Sequence, residues 1–371
     1  MAAQDAARQA ETDRRFMAAA IRLSRRHLGL TATNPSVATL IVRDGVIVGR
    51  GVTAIGGRPH AETQALAEAG AQAQGATAYV TLEPCAHHGR TPPCADALVT
   101  AGVARVVGAA SDPDERVSGK GYAILRTGGI EVIEGVLAEA AADVIAGYLI
   151  RSLKKRPEVI LKLAVSADGM IGIRGEGQVA ITGPQARRHV HLMRAECDAI
   201  LIGVGTAVAD DPELTCRLPG LEARSPMRIV LDRRLRLPPS SKLAHSARSV
   251  PVLAAAAGDA DAARRAALAA QGVGFLATEI DETGRIALPE LLEDLAAQGT
   301  MTLMVEGGAQ TAAHFLEEGL VDRIALYAGP GTVGEGGVAS PLDQARLPEG
   351  FRLVREAMFG DDIYREYVRT R

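Results

Sequence analysis

Pro59-His60-Ala61-Glu62, followed by Pro84-Cys85-Ala86-His87-His88-Gly89-Arg90-Thr91-Pro92-Pro93-Cys94, sets one imidazole, one carboxylate and two thiols within a short span of chain. His60, Cys85 and Cys94 together offer one nitrogen and two sulfurs, a donor set that suits Zn²⁺. They leave a fourth tetrahedral position for water, as catalytic rather than structural zinc sites do. Zinc would lower the pKa of that water from ~15.7 to about 7. Glu62 is not needed as a ligand and is free to act as a proton carrier.

An H-x-E followed by Pro-Cys and a second Cys is the zinc-deaminase pattern, with Glu62 as the catalytic acid and base. Two blander readings compete with it. The histidine and cysteines could be ordinary packed side chains, or the zinc could be structural, with His87 or His88 as a fourth ligand. The glutamate two residues after His60 and the proline before each of the first two ligands favour the catalytic form.

At 371 residues the chain is longer than one typical core, and two domains are expected. Hydrophobic residues make up 47% and charged residues 23%, and the formal charge is −3, as in a soluble globular protein. With no basic excess and only 3% aromatics, no nucleic-acid footprint is expected. Four cysteines in this length do not form a disulfide framework, which fits a reducing, cytoplasmic compartment. No apolar run approaches the ~18 residues of a membrane span. Met1 to Arg15 lacks the continuous apolar segment of a secretory signal.

Around the quoted stretch, elements alternate. Phe16, Ala20, Ile21 and Leu28 among arginines form one face of a helix. Val37 to Val42 is a strand, and Asp44-Gly45 a hairpin turn into Val46-Ile47-Val48. A loop with Gly49, Gly51, Gly56 and Gly57 delivers His60 to a helix over Ala61 to Ala69. Ala78 to Leu82, Val103 to Ala109 and Ile130 to Ile133 continue the strands, separated by helices at about 94–101, 119–127 and 137–150. This is an α/β layer pattern, and helix N-termini in it favour thiolates. The basic run Arg151 to Pro157 reads as a solvated connection, with one domain over 1–150 and another over 157–371.

Beyond it, Val159 to Val165 is a strand, and Thr182-Gly183-Pro184-Gln185 fits a capping box with Thr182 as N-cap. Ala199 to Gly203, Arg228 to Leu231 and Met301 to Val305 are further strands. The last runs into Glu306-Gly307-Gly308 and a helix. Glycines there would let a phosphate approach backbone N–H groups, or they are a structural turn. The pattern is not G-x-G-x-x-G.

At these residues the chain resembles the bifunctional riboflavin-biosynthesis enzymes, a pyrimidine deaminase fused to a pyrimidine reductase. The eight residues between Cys85 and Cys94 set it apart from cytidine and tRNA-adenosine deaminases, which keep two. The second half is similar to the family in Leu161-Lys162-Leu163, Ser166-Ala167-Asp168-Gly169, Thr182 to Arg188, Ala209 to Thr215 and Val305 to Gly308. The resemblance implies a cytidine-deaminase-like three-layer domain followed by a dihydrofolate-reductase-like domain. It also implies deamination of 2,5-diamino-6-ribosylamino-4(3H)-pyrimidinone 5′-phosphate with zinc, then reduction of ribosyl to ribityl with NADPH. By the same match, Ala164, Thr206 and Gly308, Ala309, Gln310, Thr311, Ala312, Ala313 and His314 should contact NADP. Arg194, Asp210, Leu214, Arg217 and Glu306 should line the substrate site, with Lys162 as an added candidate. Arg194 and Arg217 are then expected to hold phosphate bidentately.

The other expected partner is the chain itself, as a dimer or tetramer. The chain departs from the family at Gln178-Val179-Ala180, where an aromatic is common, at Val52-Thr53 and at Asp114. Cys197 and Cys216 read as ordinary thiols. Two other readings stand beside the bifunctional one. In the first, a deaminase carries a non-catalytic binding or oligomerisation module. In the second, zinc stabilises an interaction protein.

Overall fold

The computed structural model describes residues 2–87, 92–343, 346 and 349–370. The chain divides into two compact units, Met1–Lys155 and Arg156–Arg371.

The first unit runs α1 (Ala2–Ser24), β1 (Ala38–Arg43), β2 (Val46–Val52), α2 (Ala61–Ala69), β3 (Thr77–Leu82) and α3 (Cys94–Thr100). It continues with β4 (Arg105–Ala110), α4 (Lys120–Thr127), β5 (Glu131–Ile133), α5 (Ala138–Val144) and α6 (Ala146–Lys154). Its sheet has the order β2-β1-β3-β4-β5. β1 is antiparallel to β2 and β3, and β3, β4 and β5 are parallel. β3 and β4 are buried over all but their first residue, which is why they read as continuous apolar runs rather than alternating ones. Asp44 and Gly45 both take positive φ, as the β1–β2 hairpin demands. On α1, Asp13 is buried and accepts two hydrogen bonds of 2.7 Å from Arg105 of β4 and one of 2.9 Å from Tyr79 of β3. This polar rivet ties the helix to the sheet among apolar Phe16, Met17, Ala20 and Ile21.

The second unit opens with β6 (Glu158–Val165), β7 (Met170–Ile173), α7 (Pro184–Glu196), β8 (Ala199–Gly203), α8 (Val204–Asp210) and β9 (Met227–Leu231). Then follow α9 (Lys242–His245), β10 (Val252–Ala256), α10 (Ala262–Gln271), β11 (Gly274–Ala277), α11 (Leu288–Ala297) and β12 (Thr302–Val305). It closes with α12 (Ala309–Glu317), β13 (Arg323–Ala328), β14 (Gly337–Ala339), β15 (Phe351–Phe359) and β16 (Asp362–Arg369). Its large sheet has the order β11-β10-β9-β8-β12-β6-β13-β16-β15. The strands from β11 to β13 are parallel, and the β15–β16 hairpin closes one edge antiparallel. β12 enters between β8 and β6, so the chain reverses its direction of growth there. In open α/β sheets, ligands bind at the carboxyl ends of strands beside such a reversal.

Two local expectations need correction. The run from Arg151 is not a loop throughout: α6 extends through Lys154, Leu153 to Lys155 are exposed with the unit boundary after them, and Arg156 forms a largely buried ion pair with Asp322 at the foot of β6. Thr182 does not cap α7. Gly183 is the N-cap, with Pro184 just inside the helix, and the Gly183 amide is taken by the Asp362 carboxylate at 2.8 Å. Proline at the first helical position fixes the start one residue later than a Thr182 cap would.

Candidate active sites

The first site is assembled by three strand- or loop-to-helix junctions. α2 lies flat on β2, because a Cβ on Gly51 would sit 2.1 Å from the Ala61 carbonyl oxygen. That close approach places His60 at the N-cap of α2 and Glu62 in its first turn. Cys85 follows β3, and Cys94 is the first residue of α3. His60 Nδ1 lies 3.7 Å from Cys85 Sγ and 3.4 Å from Cys94 Sγ. The three donor atoms all lie within 4.8 Å of one another. The Cys94 amide donates to Cys85 Sγ at 3.3 Å, so the start of α3 solvates that sulfur as an anion.

The protonation pattern follows from this crowding. Cys85 is pushed down to about 4, foremost by its hydrogen bond from Cys94, with His60 and the Cys94 amide adding to it. Cys94 is pushed up by the same bond. His60 is raised, chiefly by its contact with Cys85. Burial pushes Glu62 up to about 6. A thiolate, a second thiol and an imidazole converging on one point suit a borderline-soft divalent cation, so the donor set fits zinc. Among the described residues the cluster does not include His87, whose Nδ1 is buried without a hydrogen-bond partner. The other histidine named as a possible fourth ligand, His88, lies outside the described residues, as do Gly89, Arg90 and Thr91 of the insert.

The cluster opens on a cavity of ≈ 640 Å³, a size typical of small-molecule sites. Glu62, Arg58, Asp112, Asp114, Arg116, Tyr148 and Arg151 are among the residues that line it. Tyr148 Oη donates to Asp112 at 3.0 Å, and Arg116 Nε donates to Asp114 at 2.9 Å. The Arg116 guanidinium holds Asp114 down at about 2. Sequence reasoning missed Arg58, Tyr148 and Arg151 as wall residues. Arg151 carried a signal, since its helical spacing from Tyr148 puts the two on one face of α6, but it stood inside what read as a linker.

The second site gathers at the carboxyl ends of β6, β8 and β12. Glu306 follows β12 and is only 8% exposed at its side chain. It accepts bonds from Arg194 Nε at 2.8 Å and Nη2 at 2.9 Å, and Lys162 Nζ stands 3.8 Å away. Burial raises the Glu306 pKa, but Arg194 and Lys162 outweigh it and hold the group down at about 2. Burial lowers Lys162, which Glu306 partly offsets. Arg194 Nη1 donates to the Thr215 carbonyl at 3.1 Å. Its Nε and Nη2 face the Glu306 carboxylate. Arg217, half-exposed and paired with Glu213 at 2.7 Å, remains the accessible arginine of the two.

Thr206 Oγ1 accepts the Gly308 amide at 3.0 Å, which joins α8 to the start of α12. Gly203 admits this packing, since a Cβ there would meet Thr311 Oγ1 at 2.4 Å. The run from Gly308 to His314 divides. Gly308, Ala309, Gln310, Thr311 and Ala313 keep accessible surface, whereas Ala312 is packed in the core and His314 is buried beside Glu318. Ala164 lies at the end of β6, paired with Tyr327 of β13. Asp210 ends α8, half-buried and raised by desolvation. Leu214 is buried with φ +58°. His191, which sequence reasoning missed, places Nδ1 3.1 Å from the Thr215 carbonyl and 3.3 Å from the Arg217 amide.

Known proteins match both halves. Residues 10–110 match the cytidine and deoxycytidylate deaminase zinc-binding region, and residues 157–364 match the RibD C-terminal domain. Riboflavin biosynthesis protein RibD of Aquifex aeolicus is 37% identical over 95% of this chain and 97% of its own length. That of Escherichia coli is 39% identical over 87% and 89%. The solved structure of Acinetobacter baumannii RibD covers 98% of this chain and 100% of its own, with 38% identity and a TM-score of 0.84. A Thermotoga maritima diaminohydroxyphosphoribosylaminopyrimidine deaminase/5-amino-6-(5-phosphoribosylamino)uracil reductase matches with the same coverage, 30% identity and a TM-score of 0.84. The expectations drawn from the zinc-ligand spacing and from the second-half motifs thus meet in one conclusion: the chain belongs to the RibD family and is a bifunctional riboflavin-biosynthesis protein, with a zinc-binding deaminase domain and an NADPH-dependent reductase domain.

Proposed function

We propose that the deaminase domain, 1–150, hydrolyses the amino group of 2,5-diamino-6-ribosylamino-4(3H)-pyrimidinone 5′-phosphate. The reductase domain, 157–371, then reduces the ribosyl chain of that product to ribityl. The observation that carries the first step is the His60–Cys85–Cys94 cluster with buried Glu62 beside it, opening on a cavity edged by Arg58, Arg116 and Arg151. His60, Cys85 and Cys94 would hold zinc, which when bound supplies Lewis-acid activation of water. Glu62 takes one proton from water onto a carboxylate oxygen and gives it to the ring nitrogen, then takes the second from the newly added hydroxyl and gives it to the departing amine. Guanidinium groups at the rim suit the substrate phosphate, and the Asp112 and Asp114 carboxylates suit hydroxyl and amino donors of the ribosyl pyrimidine.

In the reductase domain, Thr206 and the accessible residues from Gly308 to Ala313 would hold NADPH, with backbone N–H groups at the start of α12 toward its phosphates. NADPH supplies the hydride when bound. Lys162, Asp210, Leu214, Arg217 and the Arg194–Glu306 pair would line the pyrimidine site. Arg217 is the phosphate ligand in this arrangement, and Arg194 braces the wall behind it.

The chain acts as a homo-oligomer in this reading. β15 is the edge strand of the large sheet and exposes Leu353 and Met358, the latter at 61%, a surface suited to pairing with a second copy. Sedimentation across a concentration series tests it, and a monomer at all concentrations would refute it. No helix among the described residues is long and apolar enough to cross a membrane, and all four cysteines are free, both consistent with the cytoplasm. Fractionation of cells expressing the chain checks the compartment.

Purified zinc-loaded protein given the diaminopyrimidine ribosyl phosphate should release ammonia without NADPH. It should oxidise NADPH only after deamination. NADPH oxidation that precedes ammonia release would refute the order, and absence of both signals from zinc-replete protein would refute the substrate.

A further inference from the structure

Among the described residues, one of the largest fully buried side chains is an arginine, Arg228 of β9, with no exposed surface. Its Nη1 donates to the Glu213 carbonyl at 3.1 Å and to Ser246 Oγ at 2.7 Å. Its Nη2 donates to the Ser246 carbonyl at 3.2 Å and to the Val250 carbonyl. Nε has no partner, and none of these acceptors is a carboxylate. A guanidinium buried on these terms is a net cost relative to an apolar side chain of similar volume. Core filling therefore does not account for it.

What the arginine does hold is specific. Its acceptors come from the loop after α8, at Glu213, and from the turn between α9 and β10, at Ser246 and Val250. The residue after Glu213 is Leu214, a leucine at φ +58°. That left-handed conformation is strained for a non-glycine residue and persists where the surroundings over-determine it. The surroundings do so on both sides. The carbonyl of the preceding residue, Glu213, is held by Arg228, and that of the following residue, Thr215, by Arg194. Arg194 is anchored in turn on Glu306. Two buried guanidiniums therefore hold the carbonyls of the two residues on either side of the strained one.

We infer that Arg228 is a positioning residue of the reductase site: it fixes the Glu213–Arg217 loop in the strained backbone that offers Leu214 and Arg217 to the pyrimidine, without touching the substrate itself. This rests on the placing of Leu214 and Arg217 at that site. A planar fork suits the task better than an ammonium, because its two Nη groups reach the Glu213, Ser246 and Val250 carbonyls together and it stays charged at pKa about 10, where burial has lowered it.

The test uses the full-length, zinc-loaded protein and follows NADPH oxidation with the deaminated substrate. Ammonia release by the other domain serves as an internal control. Arg228→Met should raise the substrate KM about tenfold or more, with NADPH affinity within about twofold and ammonia release unchanged. Arg228→Lys should restore part of that loss. Ser246→Ala keeps the arginine but removes one acceptor, and should raise KM by about two- to fivefold with only a small drop in melting temperature. Amide exchange at Leu214 to Arg217 should quicken in the same order. If the Arg228 variants melt earlier yet keep KM within about twofold, the residue is only structural and the inference is overturned. If they do not fold, Ser246→Ala decides: an unchanged KM and unchanged exchange overturn it as well. Arg217→Gln separates the two layers of the argument. A KM that does not move there refutes the placing of the substrate site, whereas a KM that moves with Arg217 and not with Arg228 or Ser246 refutes the positioning role alone.

Discussion

Replacing Glu306 by glutamine should be among the costliest single changes to the reductase domain. The carboxylate is 8% exposed, accepts two bonds from Arg194 at 2.8 and 2.9 Å, and has Lys162 at 3.8 Å. Glutamine keeps the volume, removes the charge and turns an NH₂ toward a guanidinium that can only donate. Two buried cations are then left facing each other. Breaking a buried pair in this way costs about 3–5 kcal/mol. The depressed pKa leads to a similar figure. A shift from 4.5 to about 2 corresponds to roughly 3 kcal/mol of stability at neutral pH. The folded pKa is depressed, so this contribution is present above the unfolded value of about 4.5 and is lost as pH falls toward 2. About 2 kcal/mol of it is gone by pH 3. The assay is urea unfolding followed by circular dichroism, since the chain has no tryptophan. Wild type and Glu306→Gln should differ by about 3 kcal/mol at pH 7, and the gap should narrow between pH 5 and pH 3. NADPH oxidation should fall at least about a hundredfold while ammonia release persists. Adding Arg194→Met should recover part of the loss, because the pair and not either residue is the unit. A gap under about 1 kcal/mol that does not depend on pH would refute the reasoning.

Other expectations follow from the same geometry. Cys94→Ala should abolish zinc retention and ammonia release, while NADPH oxidation with the deaminated substrate continues; measuring metal content beside both activities checks it. Removing zinc by chelation should silence the deaminase without unfolding its domain, because Phe16, Met17, Tyr79 and Leu98 make a core that does not need the metal, and a calorimetric trace that loses a transition would contradict this. Gly51→Ala should displace α2, whose Ala61 oxygen would lie 2.1 Å from the new Cβ, and ammonia release should drop by more than the melting temperature suggests. Asp13→Asn should cost about 3 kcal/mol at neutral pH, as the loss of a buried partner to Arg105. Since Arg105 and Tyr79 hold Asp13 below its usual 3.8 despite burial, that difference should fade as pH falls through 3.8, read by urea midpoints.

What the sequence disclosed depended on how local the determining physics is. The zinc donors were legible because each residue type has one chemical task, and Pro-Cys, H-x-E and the ligand spacing are written in the chain itself. The hairpin at Asp44-Gly45 was legible for the same reason, since its positive φ values belong to those two residues. Asp13 was not: it counted as one more charge on a polar terminus, and only pairing with Arg105, 92 residues away, makes it an interior group. Arg151 misled in the opposite direction, as a basic run near a proline looked like a linker and proved to be the last turns of α6, facing the cavity.

The reductase site marks the boundary most clearly. Resemblance named Arg194 and Glu306 separately, and an arginine near a phosphorylated substrate is naturally read as its ligand. The fold brings the two together across 112 residues of chain, and each consumes the other's charge. Burial decides the matter: in water Arg194 could exchange Glu306 for a phosphate at little cost, but at 8% exposure the exchange would strand a carboxylate that now sits at about 2. The accessible cation is therefore Arg217, held by a loop whose geometry depends on Arg194 and on Arg228 beneath it. Arg228 gave no signal at all, since in R-I-V-L it occupies one position of an ordinary strand. A buried arginine with no carboxylate bonded to it is visible only once the chain has closed around it, and here one of its acceptors, the Glu213 carbonyl, belongs to the loop that carries Leu214 and Arg217.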